Sequence, residues 1–187
     1  MDDIRIVDAI PQDVFGIRNV QKVTWINTYP NSELGITRKD VESTFSKDGT
    51  EDGRKKIEEW KKRYSDLNQH RWVVKNKNEI IGFCMVGKED DSNRIYAIYV
   101  IPSFQGKGLG KQLMEKALSW LEDDRDVCVN VASYNSQAIN FYEKFGFVKT
   151  GRNVHSKGVE SLPSGKIIPE IEMVRKTRWS ILFKPGL

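Results

Sequence analysis

The sequence predicts an α/β (α+β) fold, a central sheet flanked by helices, and three stretches carry that expectation. Ile95 to Ile101 is a continuous apolar run rich in β-branched and aromatic residues, stopped by Pro102 and followed by a glycine-rich turn and an amphipathic segment reaching Leu121. Arg71 to Lys75 and Glu79 to Gly87 flank the polar turn Asn76-Lys77-Asn78, the pattern of a β-hairpin. Val127 to Ser133 reads as a further strand, leading into a helix between Asn135, a good N-cap, and Gly146, a good C-terminal stop, before a new strand at Phe147-Val148.

The remaining elements follow in chain order. Ile4 to Val7 alternates as a short first strand. Pro11 opens a helix with Val14, Phe15 and Ile17 on an apolar face, running toward Trp25 and Tyr29 and stopping at Pro30-Asn31. Thr37 and Asp40 have capping-box spacing and start a second helix. After a break between Gly49 and Gly53, Ile57, Trp60, Tyr64 and Leu67 make one stripe on a charged helix from Arg54 to Leu67, which reads as packing. Asp90 to Asn93 is a turn into the apolar strand; Ile95 to Ile101 is expected to be covered on both faces. Residues 151–166 read as a long loop, and Ile167 to Val174 as the last strand.

At 187 residues the chain fits one domain over 1–176, and its apolar tail, 177–187, must be covered by packing or by a second subunit, so a monomer or a homodimer is expected. With 39% apolar and 30% charged residues the composition is globular, which argues against disorder. Lysines and arginines number 30 against 26 acidic residues, but the charges are interspersed; no nucleic-acid partner is expected, and a modest positive field suits a polyphosphate. Cys84 and Cys128 lie in apolar runs and read as buried, reduced thiols. No apolar run approaches the ~18 residues of a membrane span, so the expectation is a cytoplasmic protein. His70 and His155 read as surface residues, and their spacing suggests no metal.

Chemistry concentrates first in Gln105-Gly106-Lys107-Gly108-Leu109-Gly110-Lys111, where three glycines let consecutive N–H groups converge on a helix start and cradle phosphate. A dinucleotide fingerprint would need glycine where Lys111 stands. A P-loop would need glycine at Gln105 and a hydroxyl at Gln112. What remains, Q-x-x-G-x-G, resembles the coenzyme A pyrophosphate loop of the GNAT superfamily of N-acyltransferases. The later pattern N-x-x-A-x-x-F-Y-x-x-x-G-F, from Asn135 to Phe147, resembles the second half of that family's cofactor site.

The resemblance implies a mixed, mostly antiparallel seven-stranded twisted sheet with about four helices, splayed between its central strands. It also implies acetyl-CoA as co-substrate, with no metal. Cofactor contacts would then come from Ile98, Tyr99 and Val100 on the central strand, from the loop residues Gln105, Gly106, Lys107, Gly108, Leu109, Gly110 and Lys111, and from Asn130, Asn135, Tyr142 and Lys144. An amine attacking a thioester needs a donor for the developing oxyanion, expected around Ile98 to Val100, and a proton for the departing thiolate, expected from Tyr142 as general acid. Many members carry a carboxylate at the start of the central strand to deprotonate the amine; here Asn93 and Arg94 stand there. That substitution keeps a non-catalytic acyl-CoA sensor open as an alternative. The acceptor is expected to be a small-molecule amine. Residues 25–35 loosely resemble the polyamine (spermidine/spermine) acetyltransferases of the PaiA type, with Trp25, Tyr29, Glu33 and Glu160 as substrate contacts. Protein N-termini, lysine side chains, amino acids and aminoglycosides stay open as acceptors.

Overall fold

The structure is a computed structural model that describes residues 3–154 and 161–177. Seven strands form one sheet: β1 (Ile4–Asp8), β2 (Gln69–Asn76), β3 (Glu79–Lys88), β4 (Asn93–Val100), β5 (Val127–Ala132), β6 (Val148–Val154) and β7 (Glu170–Arg175), in the order β1-β2-β3-β4-β5-β7-β6. The helices among the described residues are α1 (Val14–Thr28), α2 (Arg38–Ser43), α3 (Glu51–Lys62), α4 (Leu109–Leu121) and α5 (Ser136–Glu143). None of them is long and apolar enough to cross a membrane.

Every neighbouring pair is antiparallel except β4 and β5, which run parallel and pair at only three positions, Asn93 with Val127, Arg94 with Cys128 and Ile95 with Val129. Beyond Ile95 the two strands separate. Asn93 secures the closed end of this fork: its buried side chain donates to the Leu121 carbonyl at 2.8 Å and to Asp124 at 3.2 Å, tying the start of β4 to the end of α4. On its other edge β4 carries a bulge, because Val86 pairs with Ile95 while Met85 pairs with Ala97, leaving Tyr96 as the extra residue.

Period-two alternation sends successive side chains to opposite faces, and each face has its own core. Val74, Cys84, Val86 and Val100 pack with Leu109, Leu113 and Leu121 of α4 and with Ile139 and Tyr142 of α5. Val73 and Phe83 pack with Ile17 and Val20 of α1, joined by Met85, Ala97 and Tyr99. A third cluster, Ile26, Ile36, Val41, Leu162 and Ile168, closes the end where α1 leaves the sheet.

Several boundaries differ from the sequence expectation. The third helix starts at Glu51, because the Thr50 hydroxyl caps the Gly53 N–H at 3.2 Å. Gly53 therefore sits inside the first turn, where a Cβ would run into the Lys47 carbonyl. That helix gives way to a 3₁₀ turn at Arg63, so the stripe does not reach Leu67, which is 93% exposed. Phe15 is exposed as well, so the apolar face of α1 is narrower than its composition suggests. β4 is not covered on both faces throughout, since the bulge leaves Tyr96 exposed. Residues 151–154 continue β6 rather than opening the loop, with Gly151 taking φ +79° where the pairing shifts. The last strand begins at Glu170, not Ile167, which is exposed and precedes Pro169. Cys84 is buried and free; Cys128, also free, is only partly buried, and His70 is half-buried between Trp72 and Trp120. His155, Glu160 and the tail from 178 onward lie outside the described residues.

Candidate active site

Three features meet where β4 and β5 part. The first is the glycine loop. Gly106 and Gly108 adopt φ of +76° and +79°, a region that L side chains enter only at a cost, and Gly108 is the N-cap of α4. A Cβ built on either would meet no protein atom within 4 Å, so the space over the helix start is open. No side chain caps that start, and residues 105–108 are exposed. The backbone N–H groups that begin α4, with the positive end of its dipole, therefore face an open hollow of the right character for a pyrophosphate. Gln105 anchors the loop by donating from its amide to the Val100 carbonyl at 2.9 Å.

The second is the edge of β4. Ile101 donates its N–H to the Ile81 carbonyl at 2.9 Å, so by alternation the Tyr99 N–H also faces β3. The N–H groups of Ile98 and Val100 face the other way, into the opening left by β5. The Gln105 contact to the Val100 carbonyl on that same side agrees. Preorganised N–H donors in such a gap can oppose negative charge developing on an oxygen held there.

The third is a group of tyrosines. Asn135 caps α5 by accepting the Ala138 N–H at 3.0 Å, and this orients Tyr142, 7% exposed, into the core against the Phe147 ring. Burial, reinforced by the nearby Tyr99 hydroxyl and Cys84, holds the Tyr142 phenol far above its ordinary pKa, so it stays protonated at neutral pH. Tyr99 takes a hydrogen bond from the Trp25 indole N–H at 3.2 Å and shares one of 2.9 Å with the Tyr29 hydroxyl. Burial raises both of these phenols too, and the Glu170 carboxylate adds to the effect on each.

On the α1 face of the sheet, Trp25 and Tyr99 stand at one end of a cavity of about 250 Å³. Trp60 and Tyr64 from the α3 region, Arg71 on β2 and Tyr96 at the bulge line the rest. Tyr96 donates to Glu89 at 2.9 Å, and burial followed by that bond pushes its pKa up to about 12.

The expected site residues divide between these features. Ile98, Tyr99 and Val100 form the part of β4 beyond its pairing with β5, and Gln105 to Lys111 lead from it into α4. Asn135 caps α5, which follows β5 and carries Tyr142, near enough to Tyr99 to feel its hydroxyl. Asn130 lies on β5 opposite Glu172 of β7, and Lys144 is exposed at the end of α5. Trp25 lines the cavity, and Tyr29 reaches Tyr99 from behind it. Glu33 does not line the cavity; it is exposed on the turn closed by the Asn31–Ile36 bridge. Trp60 and Tyr64, expected only to pack, form cavity wall. Arg71 and Glu170 escaped the sequence reading. For Arg71 a signal existed: it shares strand parity with inward-facing Val73, an odd position for a charge.

The profile of the Acetyltransferase (GNAT) family matches residues 36–147, more than half of the chain. The chain is 36% identical over 83 residues to the peptidyl-lysine N-acetyltransferase YjaB of Salmonella typhimurium, an alignment spanning 44% of this chain and 52% of that one. It is 33% identical over 96 residues to the mycothiol acetyltransferase of Actinosynnema mirum, spanning 50% of this chain and 31% of the relative. The match thus extends over about half the length, or less, of these curated relatives. Among solved structures, the PaiA N-acetyltransferase from Thermoplasma acidophilum in complex with coenzyme A superposes with a TM-score of 0.68 at 19% identity, covering 93% of this chain and 99% of that one. A point mutant of the SpeG spermidine N-acetyltransferase from Vibrio cholerae gives 0.61 at 19% identity, covering 98% and 99%. These two likenesses are of fold.

Proposed function

Because the chain belongs to the Acetyltransferase (GNAT) family, we propose that it moves an acetyl group from acetyl-CoA to a primary amine of a small acceptor by direct attack, with Tyr142 as general acid. The observation that carries this reading is the opening between β4 and β5. The N–H groups of Ile98 and Val100 face it, the start of α4 beside it is open, and the buried Tyr142 phenol lies close enough to Tyr99 of β4 to feel its hydroxyl. The N–H groups from Gly106 to Lys111 would hold the pyrophosphate, and bound acetyl-CoA would supply the activated acetyl group as a thioester.

The chain's own residues then have three tasks. The Ile98 and Val100 N–H groups oppose charge on the carbonyl oxygen. Tyr142 keeps a proton on its hydroxyl for the departing sulfur. A phenol raised this far is a reluctant acid in water, but the same burial lifts the Cys84 thiol well above its usual value. A thiolate formed in that surrounding is correspondingly more basic, which narrows the mismatch. Deprotonation of the amine falls to solvent or to a relay, since Asn93 is committed to holding the fork closed.

Spermidine is carried as an acceptor on the resemblance of residues 25–35 to the polyamine acetyltransferases, although the cavity holds Arg63 and Arg71 and, among the described residues, no carboxylate. The Trp60 and Tyr64 rings already have Arg18, Lys56 and Arg71 beside them. Peptidyl lysine is the acceptor class named for the Salmonella relative. The test is release of coenzyme A thiol from acetyl-CoA with spermidine, a lysine peptide and free amino acids in parallel. Release with at least one amine, lost in Tyr142→Phe, is expected. Tight acetyl-CoA binding with no release under any amine would turn the reading to an acyl-CoA sensor.

A further inference from the structure

Resting on the acetyltransfer reading, we propose that the acceptor amine carries an anionic group, a carboxylate or a phosphate, and that Arg71 receives it at the far end of the α1-side cavity. Arg71 is only 8% exposed and lines the cavity. A buried guanidinium is costly unless paired, yet its partners within the chain are neutral. Nη1 donates to the Arg63 carbonyl at 3.2 Å, Nη2 donates to Gln69 Oε1 at 2.6 Å, and the Tyr64 ring lies 4.9 Å from the guanidinium carbon. Of the five N–H donors an arginine carries, the rest have no partner among the described residues. Burial pulls its pKa below the ordinary guanidinium value, the mark of a charge held out of water.

The surrounding charges do not answer it. No aspartate or glutamate lines the cavity, and the second charged residue there is Arg63, of like sign. Asp13 is engaged by Lys75 at 2.7 Å, and Glu89 by Arg94 and Tyr96. Asp66 is felt electrostatically but is exposed and takes the Asn68 N–H. A desolvated, partly satisfied guanidinium facing a cavity is the arrangement that selects a planar or tetrahedral anion.

Register sets the length. Arg71 pairs with Met85 and Met85 with Ala97, while Tyr99 pairs with Phe83 and Phe83 with Val73. Arg71 therefore lies two strands and two residues from Tyr99, on the order of 12 Å between Cα atoms. With ~30 Å³ per water-sized group, the cavity takes an acceptor of on the order of ten non-hydrogen atoms. An amine held near Tyr99 and an anion held by Arg71 then belong to opposite ends of one short chain.

The test compares kcat/KM for three matched acceptors, 6-aminohexanoate, hexylamine and 1,6-diaminohexane, with 4-aminobutyl phosphate to separate phosphate from carboxylate. The expected result is that an anionic amine exceeds both others by tenfold or more, the better of the two anions naming the group. Arg71→Gln should lower kcat/KM for the preferred anion at least tenfold more than for hexylamine. Should that variant not fold, hexanoate on the wild-type protein must inhibit competitively against the amine. If hexylamine or the diamine reacts as well as the anionic amines, the inference is overturned while acetyltransfer stands. If no primary amine of any kind releases coenzyme A thiol, both fall.

Discussion

The two sides of the sheet solve recognition differently. On the α4 side the candidate cofactor site is made of backbone: N–H groups at a helix start, freed by positive φ at Gly106 and Gly108, and N–H groups on the open edge of β4. On the α1 side the cavity is made of side chains, with Trp25, Trp60, Tyr64, Arg71 and Tyr96 arriving from separate segments. A backbone site needs little more than the right turn in one short stretch. A side-chain site needs distant segments to converge. The first kind therefore suits a ligand common to a whole family, and the second a ligand on which members differ.

Four results would break or sharpen that contrast. The largest effect is expected at the point where the two sides meet. Tyr142→Phe removes one oxygen from a packed ring, so folding and coenzyme A affinity should persist while turnover falls by ~10²–10⁴, the usual scale of general acid catalysis. Single-turnover rates with saturating acetyl-CoA measure it, and a fall below twofold would make Tyr142 a packing residue.

Next is Gly108→Val. Its side chain would stand over the helix start, so calorimetry should find coenzyme A affinity reduced by tens of fold or more. The left-handed backbone makes the change destabilising by ~1–2 kcal/mol, so circular dichroism must accompany the titration. Wild-type affinity in the folded variant would remove the loop from the site.

The pH profile comes third. Tyr29, Tyr99 and Tyr142 are all raised, so each stays protonated below its folded pKa and none loses its proton as pH climbs from 6 to 10. The acceptor's free-base fraction meanwhile grows about tenfold per pH unit below an amine pKa of ~10.4. kcat/KM should rise with a slope near one and show no descending limb before about pH 10. A fall beginning at pH 8 would mean that the acid is not one of these phenols.

The smallest effect is expected at Glu33. It is exposed on a turn outside the cavity wall, so Glu33→Lys should change KM for spermidine by less than twofold. A larger rise would mean that the acceptor extends beyond the cavity and would revive a polycation as substrate.

What the amino-acid sequence determined by itself was whatever depends on near neighbours. The strand ended by Pro102, the glycines after Gln105, the Thr37–Asp40 capping box and the Asn135 cap of α5 are local devices, and the structure has each in its expected position. Their physics acts within about one helical turn, so spacing alone reveals it. Tertiary structure decided the rest. The opening beyond Ile95 depends on two strands whose partners lie 34 residues apart in sequence, pairing for three positions and no further. The Tyr29–Tyr99 bond joins residues 70 apart, and Trp60 and Tyr64 become cavity wall only because the end of α3 and the 3₁₀ turn after it come to the same cavity as residues of α1, β2, β3 and β4. Arg71 shows the limit most plainly. Its letter and parity stand in the sequence, but whether a buried charge finds a carboxylate is settled by which side chains arrive around it, and here those that arrive are neutral or of the same sign.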